Sequence, residues 1–456
     1  MIDRVDEAAR LTAAADAPPQ LVVLRGRRRV GKSYLTAQVL GERRGIFFQA
    51  DEQDEHGQLD LFAREASALL PGSPSLRFDS WDDAWTFVEA QADAVPLVVV
   101  LDEFQWLWSA QPALDSIIQR HWDRWQRDGT PITLVLSGSA LGRMEDLVAA
   151  RRPLYGRADY RPLLQPLDYR WSQHFAAPDT PPDDLLRRYA ILGGTPQYQA
   201  WAGAGPLREV IGERILRRGE SLYEEPLHLL REEQSIRTAG TYFKLAHAIA
   251  QGATQHGEIA SKAKLDTPNM TKMLRRLEEL GYVERRSPLE PDGVVEKRGI
   301  YRLSDPYFRF WFRYVFPNRS RLERGRVIEV LDTIEADLDT YMGLAFEDCC
   351  RTWLGTYAPD PLGTGLREIG SWWHRTGSPE IDIVGIRDHD EPLVGSCKWN
   401  ASTSTNVLGA LRRDQERFLG PDAPAARVIF ARGFSDELID RAKRDGTELV
   451  PAAALF

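Results

Sequence analysis

The sequence predicts an α/β protein of several domains. Three observations carry this. Residues 21–40 read as an apolar strand, a glycine-rich loop and a helix. Residues 96–105, PLVVVLDEFQ, read as a buried strand ending in two acids. The last third reads helix, three strands, helix, strand, helix. At 456 residues the chain exceeds what one core supports, so it is divided at 1–165, 166–235, 236–320 and 321–456. A hydrophobic content of 43% with 27% charged residues is that of a soluble globular protein. The acidic, amphipathic start MIDRVDEAARL lacks a signal-peptide core, and no apolar run reaches membrane-spanning length. Three cysteines, two of them adjacent, form neither a disulfide framework nor a zinc site, so a reduced cytoplasmic setting is expected. The net charge of −9 excludes a general basic field, and any nucleic-acid contact must be local.

The first loop fits G-x-x-x-x-G-K-[ST] through Gly26, Gly31, Lys32 and Ser33. Glycines there let backbone N–H groups close around a phosphate chain, and the following helix turns its positive end to the same anion. Gly26, Arg29, Val30, Gly31, Lys32, Ser33 and Tyr34 are the expected nucleotide-binding residues. Lys32 reaches the β- and γ-phosphates, and Ser33 holds Mg2+. Residues 45–50 form a second strand, followed by a helix near 58–70. The strand at 96–105 delivers Asp102 to organise Mg2+ and Glu103 to polarise the attacking water, at the sheet edge where such ligands bind. A third strand, 132–136, runs into Ser137-Gly138-Ser139, whose polar residues come within reach of the γ-phosphate, and a short helix follows over 142–150. Arg157 is read either as a group that stabilises charge on the transferring phosphate or as a surface arginine paired with an acid. Ile2, Arg4, Glu7 and Leu11 are read either as a small cap helix over the base or as a plain surface helix.

The segments GRRRVGKS, LVVVLDEFQ, LSGSALGRM, PLYGR and YAILGGTPQY follow in an order that resembles the archaeal-type ATPase family, a STAND-like branch of P-loop ATPases related to AAA+ proteins. The resemblance extends over nearly the whole chain. It implies ATP as the nucleotide, an ASCE sheet with an inserted DE strand, and a helical lid in which Gly193, Gly194 and Pro196 face the nucleotide. The residues alone give Gly-Gly-Thr-Pro only as a helix-breaking turn. Linkers are expected at 177–184 and 359–365.

Helices over 242–251, 256–264 and 267–280, with Thr267 as N-cap, precede two short strands at 282–286 and 298–303. This is a winged helix-turn-helix. Its third helix buries Met270, Met273, Leu274, Leu277 and Leu280. Lys272, Arg275 and Arg276, with Arg285 and Arg286 of the wing, fall on DNA-facing positions. Residues 242–305 hold 11 Lys/Arg against 9 Asp/Glu, a weak field, so DNA and a protein partner both stand as ligands of this module. The aromatic stretch 303–317 reads as core that packs the winged domain.

The C-terminal order is similar to the restriction-endonuclease-like, PD-(D/E)XK core, with Glu347, Asp382 and Lys398 as the matching chemistry: acids to bind Mg2+, lysine to orient water. Ser396 stands where a second acid is expected, and serine is a poor Mg2+ ligand beside a carboxylate. Either Glu347 and Asp382 suffice, helped by Glu380 or Gln415, or the site only binds.

These readings give an Mg2+-dependent ATPase whose nucleotide state repositions a winged helix and a nuclease-like domain. Two rivals remain: a slow ATP switch gating a protein partner, with a catalytically inactive C-terminal domain, and an ATP-licensed DNA nuclease; besides DNA, a protein partner or a homo-oligomer is expected.

Overall fold

The computed structural model describes residues 3–69, 76–92, 95–232, 239–292, 299–374, 380–388 and 391–456. They form two compact units, one over Met1–Pro166 with Glu279–Gly281 and one over the rest. Ile2 and Arg298, and with them the start of the expected second wing strand, lie outside the described residues.

The first unit is built on a parallel sheet of β1 (Gln20–Gly26), β2 (Gly45–Gln49), β3 (Leu97–Asp102), β4 (Ile132–Gly138) and β5 (Leu163–Leu164), in the order β2-β3-β4-β1-β5. Strands buried on both faces are continuous apolar runs, which LVVL in β1 and LVVVL in β3 are. The strand inserted beside β1 is β4, and the strand carrying Asp102 lies one place further out. The register sets Leu24 beside Ser137, Leu101 beside Leu136 and Gln49 beside Asp102, so the C-terminal ends of four strands stand abreast.

Helices α1 (Val5–Asp16), α2 (Lys32–Leu40), α3 (Glu55–Ala66), α4 (Trp81–Ala92), α5 (Phe104–Ala110), α6 (Leu114–Asp128) and α7 (Leu141–Asp146) cover the sheet. Two apolar clusters result. One joins α1 and α2 to β1, and a larger one gathers Trp81, Trp85, Trp122 and Trp125 of α4 and α6. Asp102 ends β3, and Glu103 takes a left-handed conformation (φ 52°) before α5, so the two acids leave the strand in different directions.

The second unit starts with α8 (Tyr169–Ser172), α9 (Pro182–Leu192), α10 (Pro196–Ala202), α11 (Leu207–Glu209) and α12 (Ser221–Glu232). Gly194 is required by close packing, since a Cβ there would lie 1.6 Å from the Leu167 carbonyl oxygen. Gly193 turns the chain at φ 66° against Pro306. The expected linkers 177–184 and 359–365 fall inside this unit and divide nothing: Pro182 opens α9, because proline suits a first helical turn.

The winged segment comprises α13 (Ala239–Ala250), α14 (His256–Ala263), α15 (Thr267–Glu279), β6 (Val283–Arg286) and β7 (Ile300–Leu303). Asp266 caps α15 in place of Thr267, accepting from the Asn269 backbone N–H at 3.3 Å. Met270, Leu274 and Leu277 are buried and Met273 only half-buried. In α16 (Pro306–Phe310) and α17 (Phe316–Leu322), with the wider turn between them, Tyr307, Phe308, Phe310, Trp311 and Phe312 are core.

The 30-residue α18 (Val327–Thr356) leads into β8 (Leu366–Trp373), β9 (Glu380–Arg387), β10 (Leu393–Lys398), α19 (Asn406–Leu419), β11 (Ala426–Ala431), α20 (Asp436–Asp445) and β12 (Thr447–Pro451). β8, β9 and β10 are antiparallel neighbours, and β11 and β12 add in parallel. β12 extends the expected order by one strand.

Candidate nucleotide-binding site

The loop between β1 and α2 uses its two glycines differently. A Cβ on Gly26 would lie 2.9 Å from the Leu164 carbonyl oxygen, so this glycine permits β5 to pair closely with the end of β1. Gly31 has φ 98° and nothing within 4 Å of its Cβ position; it shapes an open cradle. Arg29 also takes a left-handed conformation (φ 69°), Val30 is buried beneath the loop, and Tyr34 is exposed one turn on. Lys32 is 4% exposed, and its Nζ donates to the carbonyls of Gly26 at 2.9 Å and Arg27 at 3.1 Å. Burial pushes its ammonium pKa down, while Glu103 and Asp102 oppose that shift.

Asp102 is fully buried. Its Oδ2 accepts from Ser33 Oγ at 2.5 Å, and its Oδ1 has no hydrogen-bond partner. Ser137, beside it at the end of β4, also buries its Oγ without a partner. Burying an unpaired polar oxygen is unfavourable, so two of them at one sheet edge mark a place prepared for a polar ligand. A serine hydroxyl, a carboxylate and an unused carboxylate oxygen are the donor set of a hard cation that keeps several waters, and they fit Mg2+.

Glu103 is held from two sides. Ser139 Oγ donates to its Oε2 at 2.7 Å, and Gln105 Nε2 donates to the same oxygen. Gly138 makes room for this, since a Cβ there would meet Gln105 Oε1 at 2.7 Å. The sequence places Ser137 and Ser139 at this strand end as γ-phosphate contacts; it does not reveal Gln105 or the bond of Ser139 to Glu103. Arg157 is engaged elsewhere: its Nε and Nη2 donate to both carboxylate oxygens of Asp123 on α6, at 2.7 and 2.9 Å. On the other side of the loop, the buried Arg4 donates to the carbonyls of Val30 and Gln165.

In the second unit, Lys272 and Arg275 are exposed on α15 and Arg276 is half-buried. Arg286 does not lie on an open wing face. It pairs with Glu284 at 2.9 Å and with Asp348 of α18 at 2.9 Å, and Arg302 of β7 pairs with the same Asp348 at 2.6 Å. The segment after β6 continues the docking: Leu289 N–H donates to the Ser371 carbonyl at 2.9 Å, and its side chain joins the C-terminal core with Trp372 and Ile381.

Glu347, Asp382 and Lys398 come together. Asp382 Oδ2 accepts from Ser396 Oγ at 3.0 Å, the Cys397 N–H at 2.7 Å and Lys398 Nζ at 3.2 Å. Burial, then the charge of Asp382, pushes Glu347 up to about 7. Gln415 is occupied by the Ala423 carbonyl and Arg427. Among the described residues no group of three or more His, Cys, Asp or Glu side chains is placed to hold a metal ion. No helix among them is long and apolar enough to cross a membrane.

The sheet order, the loop around Gly31 and the acids at the end of β3 define a P-loop ATPase fold carrying a winged helix and a separate C-terminal sheet domain. A family model of MarR proteins matches residues 243–290, and one of archaeal and bacterial proteins of unknown function matches 311–409. A Walker-type ATPase of Pyrococcus abyssi is similar in structure, with a TM-score of 0.52 and 21% identity, over 68% of this chain and 96% of that one. An uncharacterized protein of Methanocaldococcus jannaschii is 30% identical over 402 residues, 87% of each chain. The chain belongs to the same family as that protein.

Proposed function

We propose that this chain binds ATP and hydrolyses it with Mg2+, and that its winged helix reads the nucleotide state out to DNA. One observation supports this most: Ser33 Oγ donates to the buried Asp102, whose second oxygen has no protein partner. In this reading the loop N–H groups and Lys32 bind the triphosphate, and Ser33 and Asp102 hold the cation. Bound Mg2+ would neutralise charge developing on the phosphates. Glu103, oriented by Ser139 and Gln105, takes the proton of the attacking water. Arg157 acts in this site only if its pair with Asp123 opens.

The four divisions at 1–165, 166–235, 236–320 and 321–456 remain our proposal for the domains. The last two are expected to move as one body, because Asp348 and Leu289 bind the wing to the C-terminal sheet. We read the C-terminal site as a binding surface rather than a nuclease, because Ser396 stands where a second acid is expected and, with Cys397 and Lys398, takes up the Asp382 Oδ2. Phosphate release from ATP, measured with Mg2+ or with chelator and with or without duplex DNA, tests the proposal. Chelator should abolish release and DNA should raise it. Release that survives chelation would remove the metal assignment, and a rate unmoved by DNA would favour the switch with a protein partner.

A further inference from the structure

A cavity of about 290 Å³ lies within the helical part of the second unit, between the segment leading into α9 and the segment leading into α11. Ala177, Pro181, Pro206 and Leu207 give it apolar walls, Thr180 adds a hydroxyl, and Arg188 of α9 lines it. Arg188 is 4% exposed. Its Nε donates to Gln199 Oε1 at 2.9 Å, and its Nη2 to the carbonyls of Gly203 at 2.7 Å and Gln199 at 3.4 Å. All of these partners are neutral. Nη1 makes no hydrogen bond to any described residue, and no described carboxylate pairs with the guanidinium.

The acids at the cavity do not supply the missing charge. Asp184 pairs with Arg187 at 3.0 Å, and Asp179 is exposed at the rim. Buried arginines are ordinarily paired, since an uncompensated charge out of water is strongly unfavourable. Burial alone pushes this one down to about 10, which leaves it charged at neutral pH.

We propose that this cavity binds a small oxyanion, a phosphate or carboxylate group, with Arg188 as its counter-charge. The three neutral acceptors fix the guanidinium plane and leave the two Nη1 hydrogens and the uncompensated charge for the ligand. The apolar walls suit the small organic remainder of such a ligand.

The test is calorimetric titration of the full chain with inorganic phosphate and, separately, acetate. A Lys32→Ala background removes phosphate binding at the glycine-rich loop. Arg188→Gln removes the charge. Leu207→Trp fills the cavity and leaves Arg188 with its three partners, so it carries the test if Arg188→Gln does not fold. A single saturable site for either anion, weakened about tenfold or more by both changes, is expected. Phosphate binding alone would define a phosphoryl ligand, and acetate binding a carboxylate one. No saturable site for either anion, or a site that survives Leu207→Trp, would overturn the proposal.

Discussion

Replacing Glu103 by Gln separates chemistry from architecture. The carboxylate Oε2 accepts from Ser139 Oγ at 2.7 Å and from Gln105. An amide keeps one oxygen in the same place, so the Ser139 bond and the turn before α5 survive. Basicity is lost: an amide cannot take a proton from water. A positioned general base contributes about 10²–10⁴ in rate, equivalent to about 2.7–5.5 kcal/mol of barrier. Glu103→Gln should therefore lower the rate of phosphate release by about that factor, with ATP affinity within about threefold of wild type. Ser139→Ala should lower the rate less, because the base remains and only its aim is loosened. The checks are phosphate release at saturating ATP and calorimetry for affinity. A Glu103→Gln rate within about twofold of wild type would refute the reasoning.

Three further outcomes are expected. Gly194→Ala should destabilise the second unit by about 3 kcal/mol or more, since its Cβ would sit 1.6 Å from the Leu167 oxygen and only a backbone shift relieves that; an unchanged urea midpoint would argue against the packing. Changing Lys272, Arg275 and Arg276 to Ala should reduce the salt slope of DNA affinity by about 0.9 per lost phosphate contact; an unaltered slope would remove α15 from the interface. Glu347 is raised to about 7 in the fold, so its contribution to stability is complete below about pH 4.3 and lost as pH rises through 7. Glu347→Gln should accordingly gain on wild type by on the order of 3–4 kcal/mol between about pH 4 and pH 8; a pH-independent difference in urea midpoints would contradict this.

The parts legible in the sequence are those whose physics is local. The loop at Gly26–Ser33 and the run ending in Asp102 and Glu103 declare themselves through residue type and spacing, and the wing's helices through periodicity. What pairs across the chain was not legible. Ser139 and Gln105 matter because β4 lies beside β3, and strand order is not written in either strand. Arg286 reads as a DNA contact in the sequence, but Asp348, 62 positions on, holds it. The Trp122–Trp125 face of α6 could have been found from its strong amphipathic pattern. Arg188 gives no sequence signal, because only burial makes an ordinary helical arginine unusual.

Affinity measured directly tests whether a nucleotide is held at Lys32. Calorimetric titration of Mg2+-ATP into wild type and Lys32→Ala should give one saturable site, weakened about tenfold or more in the variant. Equal affinity in both proteins, or no binding to wild type, would contradict it.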